Sequence, residues 1–422
     1  MTIQHTRNLL LAAVGTLAIG LGADWPQFRG PGGEATSTDS LPITWNETQN
    51  IVWKTALPGF GSSSPIVIGD KIFLTCYSGY ALDQDQPGDR DALVRHVLCL
   101  GRSDGKILWD KTDKARQPET DYKNRWITNH GYSSSTPVSD GQALYVFFGA
   151  SGVYAYSLSG DPLWQADVGQ KPHAWGSGTS PILAGNLVFI NASVESDSVV
   201  ALDKTTGKQV WKTGGIKDSW STPALVDLPG GKQELVVSIK GKVLGLDAAD
   251  GNQLWECASV PDYVCPSVIA HKDIVYVTGA RKPQFAMAIR AGGRGDVTAT
   301  HKLWEAKKTP KVATPLYHDG LLYWIDQTGV ATCLKADSGE VVYSERLELA
   351  GAGDKVYASL VLAGDKLYGV TRRDGTLVFP IGPKFNKLAQ NRLDPSMCNA
   401  TPAIVDGRLL LRSDQFLYCI GK

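Results

Sequence analysis

Neither sign of charge is in surplus. The chain has 422 residues, 42 of them Lys or Arg and 42 Asp or Glu. Such a balance excludes a polyanion binder steered by a basic face, so no nucleic-acid partner is expected. Methionine is scarce, at 3 residues. Helical periodicity is scarcer: apolar residues alternate or run in fours, and no segment sustains a 3.6-residue period. A helical bundle is thereby excluded. The seven cysteines, at 76, 99, 257, 265, 333, 398 and 419, are too sparse for a disulfide scaffold and odd in number. There is no CxxC and no adjacent pair. Cys257 and Cys265 are the one close pair, and their pairing stays open. Also missing are HExxH, GxSxG and P-loop patterns, each of which would announce its own chemistry. Beyond the first 23 residues no apolar run approaches the 20 or so residues of a membrane span.

What the chain has in excess is glycine, 45 residues, and tryptophan, 12. It opens with an address. A polar start carries Arg7, an uncharged apolar run extends from Leu9 to Leu21, and Gly22-Ala23 precede Asp24. This layout predicts a signal peptide over residues 1–23 and an exported chain, periplasmic or extracellular, with no membrane span after cleavage. No cysteine sits at the cut to carry a lipid.

A repeat organises the rest. A Ser/Thr-rich tripeptide ending in Pro recurs as Ser63-Ser64-Pro65, Ser135-Thr136-Pro137, Thr179-Ser180-Pro181, Ser221-Thr222-Pro223, Ala313-Thr314-Pro315 and Ala400-Thr401-Pro402. Val264-Cys265-Pro266 and Ala358-Ser359-Leu360 are degenerate copies. After each comes a strand, a turn, and two further strands separated by a Gly turn, the last carrying Trp. The clearest copy of that hairpin runs from Ala201-Leu202-Asp203 through Gly207 to Trp211. Four short strands per period of about 40 to 50 residues predict a propeller blade. Eight anchors predict eight blades. The eighth unit ends after its third strand, Phe416–Ile420, and Asn50-Ile51-Val52-Trp53-Lys54 is an orphan fourth strand. Pairing the two closes the ring and leaves no open edge. The expectation is an all-β fold: an arm over 24–49 and one eight-bladed propeller of four-stranded blades over 50–422.

The stretch Ala201 to Trp211 resembles the docking motif of the quinoprotein, or PQQ-like, propeller repeats. Gly251 with Trp255, Gly105 with Trp109 and Gly339 with Tyr343 are similar. So is the opening Asp24-Trp25-Pro26-Gln27-Phe28-Arg29-Gly30, which looks like the start of exported PQQ-like proteins. The resemblance implies that each Trp packs between blades. It also implies two precedents. PQQ dehydrogenases of this fold hold the quinone under a vicinal disulfide, beside Ca²⁺ bound by Glu, Asn and Asp. This chain lacks the vicinal pair and a clear counterpart of those ligands. BamB-like members are scaffolds without catalysis, but carry a lipid-bearing Cys that is missing here.

Residues just before each anchor enter the innermost strand and should ring one mouth of the axial channel. This singles out Phe60, His130, Tyr132, Trp175, Trp220, Tyr263, Lys311, Tyr357 and Asn399. Aromatics with a few polar tips suit a small-molecule or peptide site, although large side chains also plug such a funnel. Asp83, Asp85, Asp89 and Asp91, around Gly88, are weak candidates for Ca²⁺; a solvated acidic loop is the preferred account of them. Arg290-Ala291-Gly292-Gly293-Arg294-Gly295-Asp296 reads as a glycine-rich hairpin whose two arginines suit an anionic ligand. The reading is an exported, monomeric binding or scaffold propeller. Its partner is an envelope protein or a small molecule, and it needs no cofactor and has no catalytic residue. A PQQ-dependent oxidoreductase with Ca²⁺, or another propeller enzyme such as a hydrolase or lyase, is the alternative.

Overall fold

The computed structural model describes residues 24–422, apart from 84, 124–125, 280–284 and 351–352 and the side chain of 126. The predicted signal peptide over 1–23 lies outside the described residues. Eight antiparallel four-stranded sheets form the blades of a propeller, and all but the closing blade take their strands in chain order. Blade three is representative: Ile182–Ala184, Leu187–Ala192, Ser198–Asp203 and Gln209–Gly214, in that order from the axis outward. The middle strands are buried on both faces because each blade is sandwiched between two others. Apolar clusters fill the gaps between neighbours. Val138, Tyr145 and Val153 of blade two, for example, meet Val188, Ile190 and Val200 of blade three. The outer strands alternate, and Leu108, Leu163 and Val210, each just before a docking Trp, remain more than half exposed.

The ring closes as the orphan strand requires. Ile51–Ala56 pairs antiparallel with Phe416–Ile420, Trp53 facing Cys419 and Ala56 facing Phe416. Its Trp then docks onto blade one.

The glycine of each strand-three hairpin has two reasons to be there. Gly207 sits at φ +69°, a conformation that costs any other residue energy. A Cβ there would also stand 2.6 Å from the indole of Trp164, which belongs to the preceding blade. The indole nitrogen of Trp164 donates to the Lys204 carbonyl at 2.9 Å. The same lock joins Trp53 to Gly105, Trp109 to Gly160, Trp211 to Gly251 and Trp304 to Gly339. Glycine of one blade thus receives tryptophan of the one before it.

Blade five departs from the repeat. Its innermost strand, Ile269–His271, starts two residues after Ser267, the same offset as Ile66 after Ser64. Ser267 therefore occupies the anchor position that the sequence pattern assigned to Cys265. The Gly-rich loop also leaves its blade. Gly295–Asp296 adds as a fifth, parallel strand to Trp255 and Glu256 of blade four. Arg294 pairs with the buried Glu234 at 3.2 Å, and Glu234 also accepts the Trp255 indole N–H at 2.7 Å. Arg294 is thus engaged within the fold, and Arg290 faces Asp273 at 3.4 Å.

The arm crosses the face that carries the first turn of each blade. Trp25 exchanges two 2.9 Å backbone hydrogen bonds with Val67 of blade one, and Ser139 of blade two donates to Pro26. Across the axis, Arg29 donates to the Thr314 and Pro315 carbonyls of blade six at 3.0 and 2.8 Å. Thr36–Ser37 then pairs in parallel with Leu362–Ala363 of blade seven. That blade lacks a docking Trp, and Trp45 of the arm stacks on its Tyr368 instead, 6.2 Å between centroids. No helix of the described residues is long and apolar enough to cross a membrane.

Candidate functional site

The axis encloses a well of about 320 Å³. Its waist is a ring of eight hydroxyls, one per blade: Ser64, Thr136, Ser180, Thr222, Ser267, Thr314, Ser359 and Thr401. They converge because each immediately precedes the Pro, Val or Leu that leads into its innermost strand. The ring is knitted by hydrogen bonds from blade to blade. The Ser64 N–H donates to Thr136 Oγ1 at 2.9 Å, the Thr136 N–H to Ser180 Oγ at 3.0 Å, and the Ser180 N–H to Thr222 Oγ1 at 3.0 Å. Ser267 continues to Thr314, Thr314 to Ser359 and Ser359 to Thr401, at 2.9 to 3.0 Å. At one end the partly buried Phe28 of the arm lines the well. No role at the site was expected of the opening motif; the structure makes Phe28 its floor and Arg29 the anchor of that floor. Arg29 is 2% exposed, and burial pushes its guanidinium down to about 9.

The opposite end is the mouth. His130, Trp175, Trp220, Lys311, Tyr357 and Asn399 all line the well. Tyr263 packs behind Trp175, edge to face at 4.2 Å. Trp220 is 8% exposed and its indole N–H donates to the Gly176 carbonyl at 2.7 Å, so it is mainly packing. Trp175 is more open and lies 5.2 Å from Trp220. Tyr132 stands a layer farther out, among Tyr77, Tyr80 and Tyr122, with its hydroxyl on the Thr120 carbonyl. Phe60 bridges to Tyr77 in the same cluster. The mouth therefore has an aromatic wall from blades three to five and a polar wall from blades six to eight.

Asp354, which the residue count did not reach, completes the polar wall. It accepts the Tyr357 hydroxyl at 2.8 Å and faces Lys311 Nζ at 3.8 Å. Arg372 lies 4.4 Å over the Tyr357 ring and donates to Asn399 Oδ1 at 3.0 Å. Burial and the Asp354 hydrogen bond push the Tyr357 hydroxyl well above its ordinary value, so it stays a phenol. Cys265 also lines the well; burial pushes its thiol up to about 12, so it presents a neutral S–H.

His130 is neutral as well. Burial lowers its pKa, and Arg372 adds to the effect. Its Nε2 lies 2.7 Å from the Trp175 carbonyl, which can only accept, so the proton is on Nε2. Nδ1 then accepts the Ser134 hydroxyl at 2.5 Å. This order is the reverse of a Ser-His-Asp relay. A relay in the usual order lies elsewhere, unnoticed in the sequence: Ser78 Oγ to His96 Nε2 at 2.7 Å, and His96 Nδ1 to Asp110 at 3.0 Å. It joins three strands of blade one, and the backbone of Gly59 lies against Ser78. Spacing did not reveal it because the residues meet only through strand register.

The acidic loop caps its own backbone. Asp83 Oδ1 accepts the N–H groups of Asp85 and Gln86, and Asp89 Oδ1 that of Asp91. Among the described residues no three His, Cys, Asp or Glu come together as a metal site. All seven cysteines, Cys257 and Cys265 included, are free. A Ca²⁺ beside a quinone draws on carboxylate ligands, and this well offers few. Among the described residues Asp354 is the one carboxylate lining it, and that carboxylate is engaged by Tyr357 and Lys311.

The family model that matches is described as the outer membrane protein assembly factor BamB, over residues 35–173 and 93–263. BamB from Moraxella catarrhalis is similar in structure, with a TM-score of 0.58 at 12% identity, covering 87% of this chain and 98% of that one. The quinohemoprotein alcohol dehydrogenase of Comamonas testosteroni has a TM-score of 0.64 at 12% identity, covering 94% and 80%. A europium-containing methanol dehydrogenase has 0.60 at 10%, covering 94% and 89%. No curated protein matches the sequence.

Proposed function

This chain belongs to the PQQ-like propeller family whose model is described as BamB, and on that premise we propose that it is an exported binding propeller of the cell envelope, holding a small ligand in its axial well. One observation carries the reading: the well is floored by Phe28, waisted by hydroxyls and walled at its mouth by Trp175 on one side and by Lys311, Asp354 and Asn399 on the other. An enclosed site with apolar walls and a few placed polar groups is how proteins hold small molecules. Its volume suits a ligand of one or two rings. Binding without catalysis is supported by the chemistry of the mouth. His130 is neutral, with both ring nitrogens engaged, and Tyr357 and Cys265 are held in their protonated forms.

The alternative is a PQQ-dependent oxidoreductase, favoured by the likeness to the two dehydrogenase structures. Titration of the purified protein with PQQ and Ca²⁺ separates the two. The binding reading predicts no micromolar affinity and no dye-coupled oxidation of alcohols. Micromolar PQQ binding together with such turnover overturns it.

A further inference from the structure

The hydroxyls of the waist have a defined polarity. Thr136, Ser180, Thr222, Thr314, Ser359 and Thr401 each use their oxygen to accept a backbone N–H from the preceding blade. None of these six hydroxyls donates its proton to an acceptor among the described residues, and all are less than a tenth exposed. Ser64 and Ser267 are equally buried, and their hydroxyls make no hydrogen bond among the described residues. A hydroxyl whose oxygen is engaged offers its O–H to whatever enters the lumen. Six O–H groups of one cavity therefore converge on the axis as donors, and the Ser64 and Ser267 hydroxyls beside them are free to donate as well. Above them Lys311 lines the same well, with Asp354 3.8 Å from its Nζ and the Asp354 carboxylate also held by the Tyr357 hydroxyl.

Convergent donors in a partly desolvated site favour an acceptor that carries negative charge, as preorganised N–H and O–H groups do in oxyanion sites. The mouth adds a planar apolar surface in Trp175. We propose that the well selects a carboxylate of one or two rings, too small a class to include the tricyclic PQQ, with its carboxylate directed into the hydroxyl ring and its ring against Trp175. The proposal rests on the well being a ligand site, and it adds the charge of the ligand and its orientation.

Ser64→Ala and Ser267→Ala are the informative variants. Each removes a luminal O–H without depriving a backbone N–H of its acceptor, so an unchanged urea midpoint is expected for both. Isothermal titration with 2-naphthoate and its neutral counterpart 2-naphthamide reads the selectivity. The carboxylate is expected to bind at least tenfold more tightly. Each serine variant should weaken it about tenfold, the cost of one hydrogen bond to a charged acceptor, and leave the amide within twofold. Trp175→Ala should weaken both. Equal affinities for the two probes, unmoved by the serine variants, overturn the carboxylate proposal and leave the well a ligand site. No heat from either probe at millimolar concentration overturns the reading of the well as well.

Discussion

Glu195 shows what burial does to a single residue here. It is 2% exposed, in a short helix between the second and third strands of blade three, and accepts a hydrogen bond from Ser177. Burial raises its carboxyl from 4.5 to about 7, against the opposing effect of that hydrogen bond. A carboxyl with a raised folded pKa binds its proton more tightly in the folded state. Stability is therefore greatest below the unfolded value near 4.5 and drains as pH rises to about 7, where the loss levels off. Glu195→Gln keeps an acceptor for Ser177 and abolishes the titration. Urea unfolding should show the parent losing on the order of 3 kcal/mol relative to the amide variant across that window; parallel pH profiles would contradict the assignment. The two mouth tryptophans divide in the same spirit. Trp220 is committed to packing and to the Gly176 carbonyl, while Trp175 has surface left for a ligand.

Between elements, the recurring device is the lock of a glycine under the indole of the preceding blade. Gly207→Ala must put a Cβ both at φ +69° and 2.6 Å from Trp164, whereas Gly185→Ala at φ +53° meets open space. The second should cost about 1 kcal/mol and the first about 3 kcal/mol, as read by denaturant midpoints. Equal costs would mean that only the turn, and not the lock, constrains Gly207. Much of this was legible in the sequence, because period, turn glycines and docking tryptophans repeat in register. Ser267 was not: its Pro falls two residues early, so the pattern pointed to Cys265, and only the strand start at Ile269 shows the true position. Arg294 was misread for a related reason. A loop's target cannot be inferred from its composition, and the buried Glu234 it meets is 60 residues away.

For the whole molecule, ring closure by Ile51–Ala56 and the crossing arm together produce a vessel with one floor. The sequence indicated the mouth because residues before an anchor must enter the axis, and His130, Trp175, Trp220, Lys311, Tyr357 and Asn399 all line the well. Tyr132 and Phe60 lie outside because the long connection between blades one and two folds them into a tyrosine cluster of its own. Phe28 and Asp354 escaped notice, since neither sits at a repeat position. The account stands on this well holding a small molecule. Native mass spectrometry of the protein isolated from its own host, beside its Trp175→Ala variant, tests that most directly. The account predicts a bound small molecule of one or two rings on the parent and its loss from the variant. Protein partners retained equally by both, with no small-molecule adduct on either, would contradict it.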